Sequence, residues 1–372
     1  MPDVIEEDFR SNWELTIGCR LNCAHAGHAT ISIRADTAED ISRADVNRRD
    51  ALAMGLTSFA SAALTPAFAQ ATFPERPIRL VVPFAPSGAT DIIGRMWADK
   101  MKPVLGTVFV DNQGGAGGVM GTLEVARAQP DGHTLLFGST STLVINPAVM
   151  SRATYDPIKD FIAIAIVAVS STSIVVHASV PVRSVKELIA YAKANPGRLS
   201  YGSAGAGTVT NFAGELFKQM TGLADIVHIP YKGAGPGVAD LVSGHIPLMM
   251  PNVTGQLLDF HQAGKIRILA VNAPARLSAL ADVPTATEEG LSGLVAQLFL
   301  GVFAPAGTPA AIVDQIHQAT RRVMADEDLQ KVLIRSGYEV IVDSGPEQAQ
   351  RYLRDEIARL TPIIKASGFR IN

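Results

Sequence analysis

Hydrophobic positions along this chain alternate between two patterns. Short unbroken apolar runs rich in β-branched residues occur at 78–83 (IRLVVP), 108–112 (VFVDN) and 133–138 (HTLLFG). Such runs read as strands buried on both faces. Between them, at about 91–105 and 118–128, apolar residues recur at helical spacing. Strand–helix alternation of this kind predicts an α/β fold with a parallel sheet. The pattern continues with a strand through 156–170 into STSIVVHAS. Ser184 and Glu187 form an S-x-x-E capping box opening VKELIAYAKAN, whose apolar face is Val185, Leu188, Ile189 and Ala192. Pro196-Gly197 closes it, and RLSYGSAG supplies the next strand and turn. A helix at 211–220, a strand at 225–231, a helix at 235–244, and strands at IPLMMPN and 265–271 follow. Amphipathic helices at 309–324, 326–336 and 346–366 end the chain.

The segment before the first strand follows neither pattern. Arg48 and Arg49 precede the uncharged run ALAMGLTSFASAALTP and then Ala67-Phe68-Ala69. A basic patch, a short apolar core and a small-x-small end make a secretory signal peptide, here 46–69, with the mature chain starting near Gln70. The run is short of the ~20 apolar residues of a membrane span. The arginine pair resembles a twin-arginine export signal. Residues 1–45 carry scattered charges and no apolar period, and read as a non-native or disordered extension. Both cysteines, Cys19 and Cys23, lie in it beside His25 and His28, at a spacing too tight for the usual zinc finger. No metal and no cofactor are expected, and the mature chain carries no cysteine for a disulfide.

Composition narrows the classes. Hydrophobic residues are 47% and charged residues 18% of the 372, which describes a packed protein. A net charge of −3 argues against a nucleic-acid partner. About 300 mature residues suffice for two domains, each with its own core.

Four loops share one design, in which a strand runs into Gly, Ser, Thr and Ala and then into a helix. They are APSGATD (85–91), GSTSTL (138–143), GSAGAGTVTN (202–211) and YKGAGPG (231–237). Small residues let backbone amides approach a ligand, and a helix N-terminus adds positive partial charge. Together they make an anion site without formal charge, beyond the carboxyl ends of strands. Enzyme templates fit poorly: the chain has no P-loop, no G-x-S-x-G elbow and no H-E-x-x-H, and GGAGGVMG misses the dinucleotide spacing. The histidines are scattered, and His228, in the apolar IVHIPY run, reads as structural. Asp91 stands where a helix begins, to cap it or to orient the 85–90 loop around a ligand. Glu215 reads as an exposed or intrahelical contact, and Lys232 as either a surface lysine or a cation facing an anion across a cleft.

Several of these stretches, in order, resemble a known family. PFAPSGATDIIGR, DNQGGAGGVMG, QPDGHTLLFGSTSTLVINPAV, YDPIKDF, LIAYAKANPGRLSYGSAG, HIPYKGAGPGVADLVSGHI, VPTATEEG and FAPAGTP are similar to motifs of the Bug, or tripartite tricarboxylate transporter receptor, family. The resemblance runs from about Phe73 to the C-terminus. It implies an α/β, two-domain periplasmic-binding-protein fold (type II-like) with the ligand cleft between domains. Domain 1 would be 72–171 plus 294–372, and domain 2 would be 172–293. It implies a monomeric periplasmic receptor, not an enzyme, that binds a small carboxylate and delivers it to membrane permease subunits. A receptor feeding a signalling system, or an exported α/β enzyme, would be the alternatives. Matched residue by residue, the implied ligand-binding positions are Phe84, Ala85, Ser87, Gly88, Thr90 and Asp91; Ser139, Thr140 and Ser141; and Ser203, Ala204, Gly205, Thr208 and Asn211. Three positions depart from the family pattern. Pro86-Ser87-Gly88 stands for its P-G-G, Asn211 for its histidine, and Pro251-Asn252 for its Asp-Asn.

Overall fold

Five residues set the first layer. Ile78–Val82 (β1) buries Ile78, Leu80, Val81 and Val82 completely, and pairs in parallel with Val108–Asn112 (β2) and Thr134–Ser139 (β3). Ala89–Leu105 (α1) and Val119–Ala126 (α2) make the crossovers. Gly94 brings α1 down onto Val82 and Phe137, where a Cβ would already lie 3.2 Å from Val82. Trp97, 1% exposed, is anchored by Nε1 to Thr320 Oγ1 at 3.3 Å. The computed structural model describes residues 73–150 and 154–370. The expected extension, signal peptide and cysteine pair lie outside those residues.

The sheet then departs from the expected parallel pattern. Phe161–Ser171 (β4) and Gln297–Pro305 (β10) give the order β11-β4-β10-β3-β1-β2, with β10 antiparallel to both β3 and β4. The sheet is mixed because a strand from the far end of the chain returns into its centre. Tyr338–Val340 (β11) adds an antiparallel edge.

At Thr172 the chain crosses into a second sheet, order β7-β6-β8-β5-β9. Its strands are Ser173–His177 (β5), Ser200–Ser203 (β6), Val227–Pro230 (β7), Leu248–Met249 (β8) and Ile266–Val271 (β9). The helices of this part are Val185–Ala194 (α4), Val209–Thr221 (α5), Ala234–Ser243 (α6) and Gly255–Gln262 (α7). A short helix, Asn146–Val149 (α3), precedes them, and Ala310–Met324 (α8), Glu327–Arg335 (α9) and Pro346–Ala366 (α10) cover the first sheet's side of the chain. Ser184 caps α4 through the Glu187 amide (3.1 Å), but Glu187 reaches back to the Arg183 amide (2.7 Å), one residue earlier than the capping box predicts. Outgoing and returning segments are tied at the crossing. Thr172 N donates to Ala296 O (2.9 Å), Asn272 N to Thr172 O (2.8 Å) and Asn272 Nδ2 to Thr172 Oγ1 (2.8 Å). We refer to the two sheets with their helices as the first and second lobes.

Candidate functional site

The 84–88 loop is held at both ends by one buried carboxylate. Asp91 Oδ2 accepts from the Ser87 amide at 2.9 Å, while Oδ1 accepts from Asn112 Nδ2 at 2.8 Å. Asn112 Nδ2 also reaches Phe84 O at 3.0 Å, so the start and end of the loop share one anchor. Arg95, one turn on, balances the charge at 2.9 Å. This grip holds Ser87 at φ +70°, a left-handed conformation uncommon for a residue with a side chain. Asp91 is therefore a loop anchor and not the helix cap: Gly88 is the N-cap of α1 and has no side-chain acceptor to offer. The first amides of α1 are left without an intrahelical partner.

Two more helices begin at the same place. Thr208 caps α5, its Oγ1 accepting from the Asn211 amide at 3.3 Å, and the Thr210 amide between them has no intrahelical acceptor. Gly233 opens α6, again with no side-chain cap. Between the lobes, Phe84, Gly88, Ala89, Thr90, Ser141, Ala204, Thr210, Ala234, Asn252 and Leu298 line a small cavity that opens to solvent at its mouth. The starts of α1, α5 and α6 thus face one cavity. Each carries the partial positive charge of a helix N-terminus. None of the lining side chains is charged, and the polar ones are three hydroxyls and an amide.

The turn after β3 sorts three adjacent hydroxyls. Ser139 is fully buried and folded onto Thr142, whose Oγ1 accepts from the Ser139 amide at 3.1 Å. Thr140 is equally buried and accepts from the Phe299 amide of β10 at 2.8 Å. Ser141 opens a π-helical turn, 141–145, of a kind frequent at functional sites, and faces the cavity. Its Oγ accepts from the Val209 amide of the opposite lobe at 3.0 Å, leaving its own proton free to donate.

Of the other expected positions, Phe84, Gly88, Thr90 and Ala204 line the cavity with Ser141, while the rest stand behind it or at its lip. Ala85 and exposed Ser87 form the lip. Ser203, Gly205, Thr208 and Asn211 form a layer beneath. Ser203 Oγ accepts from the Gly205 amide (3.1 Å), Thr210 Oγ1 from the Ala204 amide (2.8 Å) and Asn211 Oδ1 from the Gly207 amide (3.1 Å). Ala89, Thr210, Ala234, Asn252 and Leu298 line the cavity beyond the expected set. Thr210 and Ala234 lie within the small-residue loops, where the signal was available. Lys232 contributes its backbone carbonyl at the lip, and its side chain is exposed.

His228 closes the supporting layer. It stacks on Tyr201 at 4.8 Å, and its Nε2 lies 2.6 Å from Ser203 Oγ. Asn211 Nδ2 donates to Tyr201 Oη at 2.7 Å and lies 3.4 Å from His228 Nδ1, which places the imidazole proton on Nε2. Tyr201 Oη in turn donates to Glu215 at 2.6 Å, so Glu215 does more than its intrahelical pairing with Lys218. Burial and then the Glu215 carboxylate push the Tyr201 phenol up, keeping it a donor. Burial pushes His228 down to about 4. The unfolded chain, with an imidazole near 6.5, takes up this proton first, so stability is full above about 6.5 and falls as pH drops toward about 4. Thermal melts across that window should show a shallower decline in His228→Gln than in the parent; parallel declines would remove His228 as the cause. Ser203 and His228 do not make a nucleophile–base pair accessible to substrate, because Ser203 is fully buried under the Gly205 turn.

A two-lobed α/β protein with an uncharged cavity ringed by helix N-termini is, by fold and site, a solute receptor of the periplasmic-binding-protein class. The family model for the tripartite tricarboxylate transporter family receptor matches residues 93–369, and the chain belongs to that family. It is 35% identical over 323 residues to the protein of the tcbD-tcbE intergenic region of a Pseudomonas sp., covering 86% of this chain and 95% of that one. It is 32% identical to BugT of Bordetella pertussis, covering 81% and 92%. Among solved structures, the periplasmic binding protein BugD superposes with TM-score 0.77 at 33% identity (80% and 99% covered). An R. palustris protein with adipate gives 0.75 at 33% (80% and 99%), and MatC of Rhodopseudomonas palustris with bound malate gives 0.75 at 30% (78% and 100%).

Proposed function

We propose that this protein captures a small carboxylate lacking an ammonium group in the interlobe cavity, in the periplasm, and as a monomer hands it to membrane permease subunits. The observation that carries the ligand class is the convergence of three helix N-termini on one small cavity whose lining carries no charged side chain. Backbone dipoles of this kind favour a carboxylate without a counter-cation. The malate and adipate in two similar structures support that class. An ammonium finds no acidic partner, since the near carboxylate, Asp91, is occupied by Ser87, Asn112 and Arg95. Family membership supports the permease partner, and the 46–69 pattern supports export. We take 72–171 plus 294–372 and 172–293 as the moving domains, hinged at the Thr172–Asn272–Ala296 crossing. Binding requires no covalent step: the ligand favours closure only by the extra contacts it makes in the closed state.

A thermal-shift screen against malate, adipate, citrate, aspartate and glutamate tests the reading. A ligand at a hundredfold excess over its Kd adds about 2.7 kcal/mol of stability. Shifts with amine-free acids and none with aspartate or glutamate are expected. A shift with the amino acids alone would overturn the ligand class. No shift at all, with no small acid released from the denatured protein by mass spectrometry, would overturn the receptor.

A further inference from the structure

Two glycines, Gly233 and Gly235, have no reason to be glycine within their own lobe, and a third, Gly114, is crowded both by its own lobe and by the opposite one. Gly235 sits in the first turn of α6, where alanine is the stronger helix former, and its φ is outside the left-handed region. Gly233 is extended, at φ 163° and ψ 170°, and Gly114 also lies outside the left-handed region. Each touches the other lobe. A Cβ on Gly235 would lie 2.2 Å from Pro86 O and 3.1 Å from Ser87 Cβ. On Gly233 it would lie 2.8 Å from Ala85 N, and on Gly114 3.0 Å from Lys232 O. Along the same line the Ala85 amide donates to Lys232 O across the cleft at 3.1 Å. Further along, a Cβ on Gly117 would meet Ala206 O at 2.1 Å. Backbone here packs directly on backbone, and none of these glycines lines the cavity.

We propose that this glycine seam sets ligand affinity by permitting closure, with Gly235 as a positioning residue that never touches the ligand. The inference rests on the receptor reading for its consequence but not for its geometry. A methyl group at 235 meets a backbone carbonyl oxygen of the opposite loop, so the lips are held apart and the Ala85–Lys232 bond cannot form. The open form has no such conflict. Gly235→Ala therefore weakens every ligand by a common factor of tenfold or more, while leaving the melting temperature of the ligand-free chain unchanged or slightly raised.

A cross-link reads closure without a ligand. The Cβ position on Gly88 is 3.5 Å from Ala234 Cβ, within the range a disulfide spans. In the full chain carrying Cys19→Ser and Cys23→Ser, the pair Gly88→Cys/Ala234→Cys should cross-link under mild oxidation, giving a shifted band without reductant. Adding Gly235→Ala should slow that cross-link at least tenfold. An unchanged rate overturns the proposal, and so does a parent pair with titratable thiols that never cross-links. A chain that cross-links in a Gly235-dependent way but binds no carboxylate would overturn the receptor reading and leave the seam standing.

Discussion

Asp91→Ala is expected to destabilise the protein by about 2–4 kcal/mol and to weaken ligand binding by more than tenfold. The side chain is 4% exposed and accepts from the Ser87 amide, Asn112 Nδ2 and Arg95. Its removal takes the acceptor from the part-buried Ser87 amide and leaves Asn112 Nδ2 with Phe84 O alone, and a buried donor without a partner costs about 1–3 kcal/mol. Breaking a buried ion pair typically costs about 3–5 kcal/mol. The lower figure applies here because Arg95, 48% exposed, can return to water. The binding defect follows from the same atoms: without the carboxylate nothing holds Ser87 at positive φ, and the uncapped start of α1 loses its aim into the cavity. Asp91→Asn keeps one acceptor for Ser87 but sets an amide against the donors Asn112 and Arg95, so it should fall between. Thermal melts and affinity for the acid found in the screen check both. An Asp91→Ala protein melting with the parent would refute the anchor.

The sequence shows much of this site because its chemistry is backbone chemistry. All four small-residue loops contribute to the cavity: Gly88, Ala89 and Thr90 from the first, Ser141 from the second, Ala204 and Thr210 from the third, and Ala234 from the fourth. A loop that must present amides needs small side chains, and that need is visible in one chain. What stays hidden is set by pairing between distant segments. Leu298 reaches the cavity only because β10 inserts antiparallel between β3 and β4, and strand–helix alternation gives no place to such a strand. Asn252 arrives on the short segment after β8 and is fixed by Thr172 at the crossing. Composition also cannot say which hydroxyl of Ser139, Thr140 and Ser141 faces the cavity. That depends on a π turn and on the Phe299 amide, 159 residues from Thr140. Glu215 was beyond reach for the same reason, since Tyr201, its partner, lies on another element.

Adjacent hydroxyls doing different work make Ser141 and Thr140 a contrasting pair. Thr140 is fully buried and holds the Phe299 amide, a contact within the first lobe that is equally present open or closed. Thr140→Val should therefore lower the melting temperature of the ligand-free protein, by the ~1–3 kcal/mol of an orphaned buried amide, and leave the ligand-induced shift nearly intact. Ser141→Ala should do the reverse. With the cleft open, the Val209 amide reaches water, and little stability depends on the hydroxyl. In this structure the Val209 N–H meets Ser141 Oγ at 3.0 Å, and in the proposed complex the hydroxyl proton would donate to the carboxylate. Loss of a hydrogen bond to a charged group costs about 1.5–3 kcal/mol, and the stranded amide adds to it. The sum corresponds to an affinity loss of roughly thirtyfold or more. Isothermal titration of both variants with the acid that shifts the parent decides it. A Ser141→Ala protein that keeps its affinity, or a Thr140→Val protein that loses ligand binding at unchanged stability, would mean that the bridge between the lobes runs through some other group.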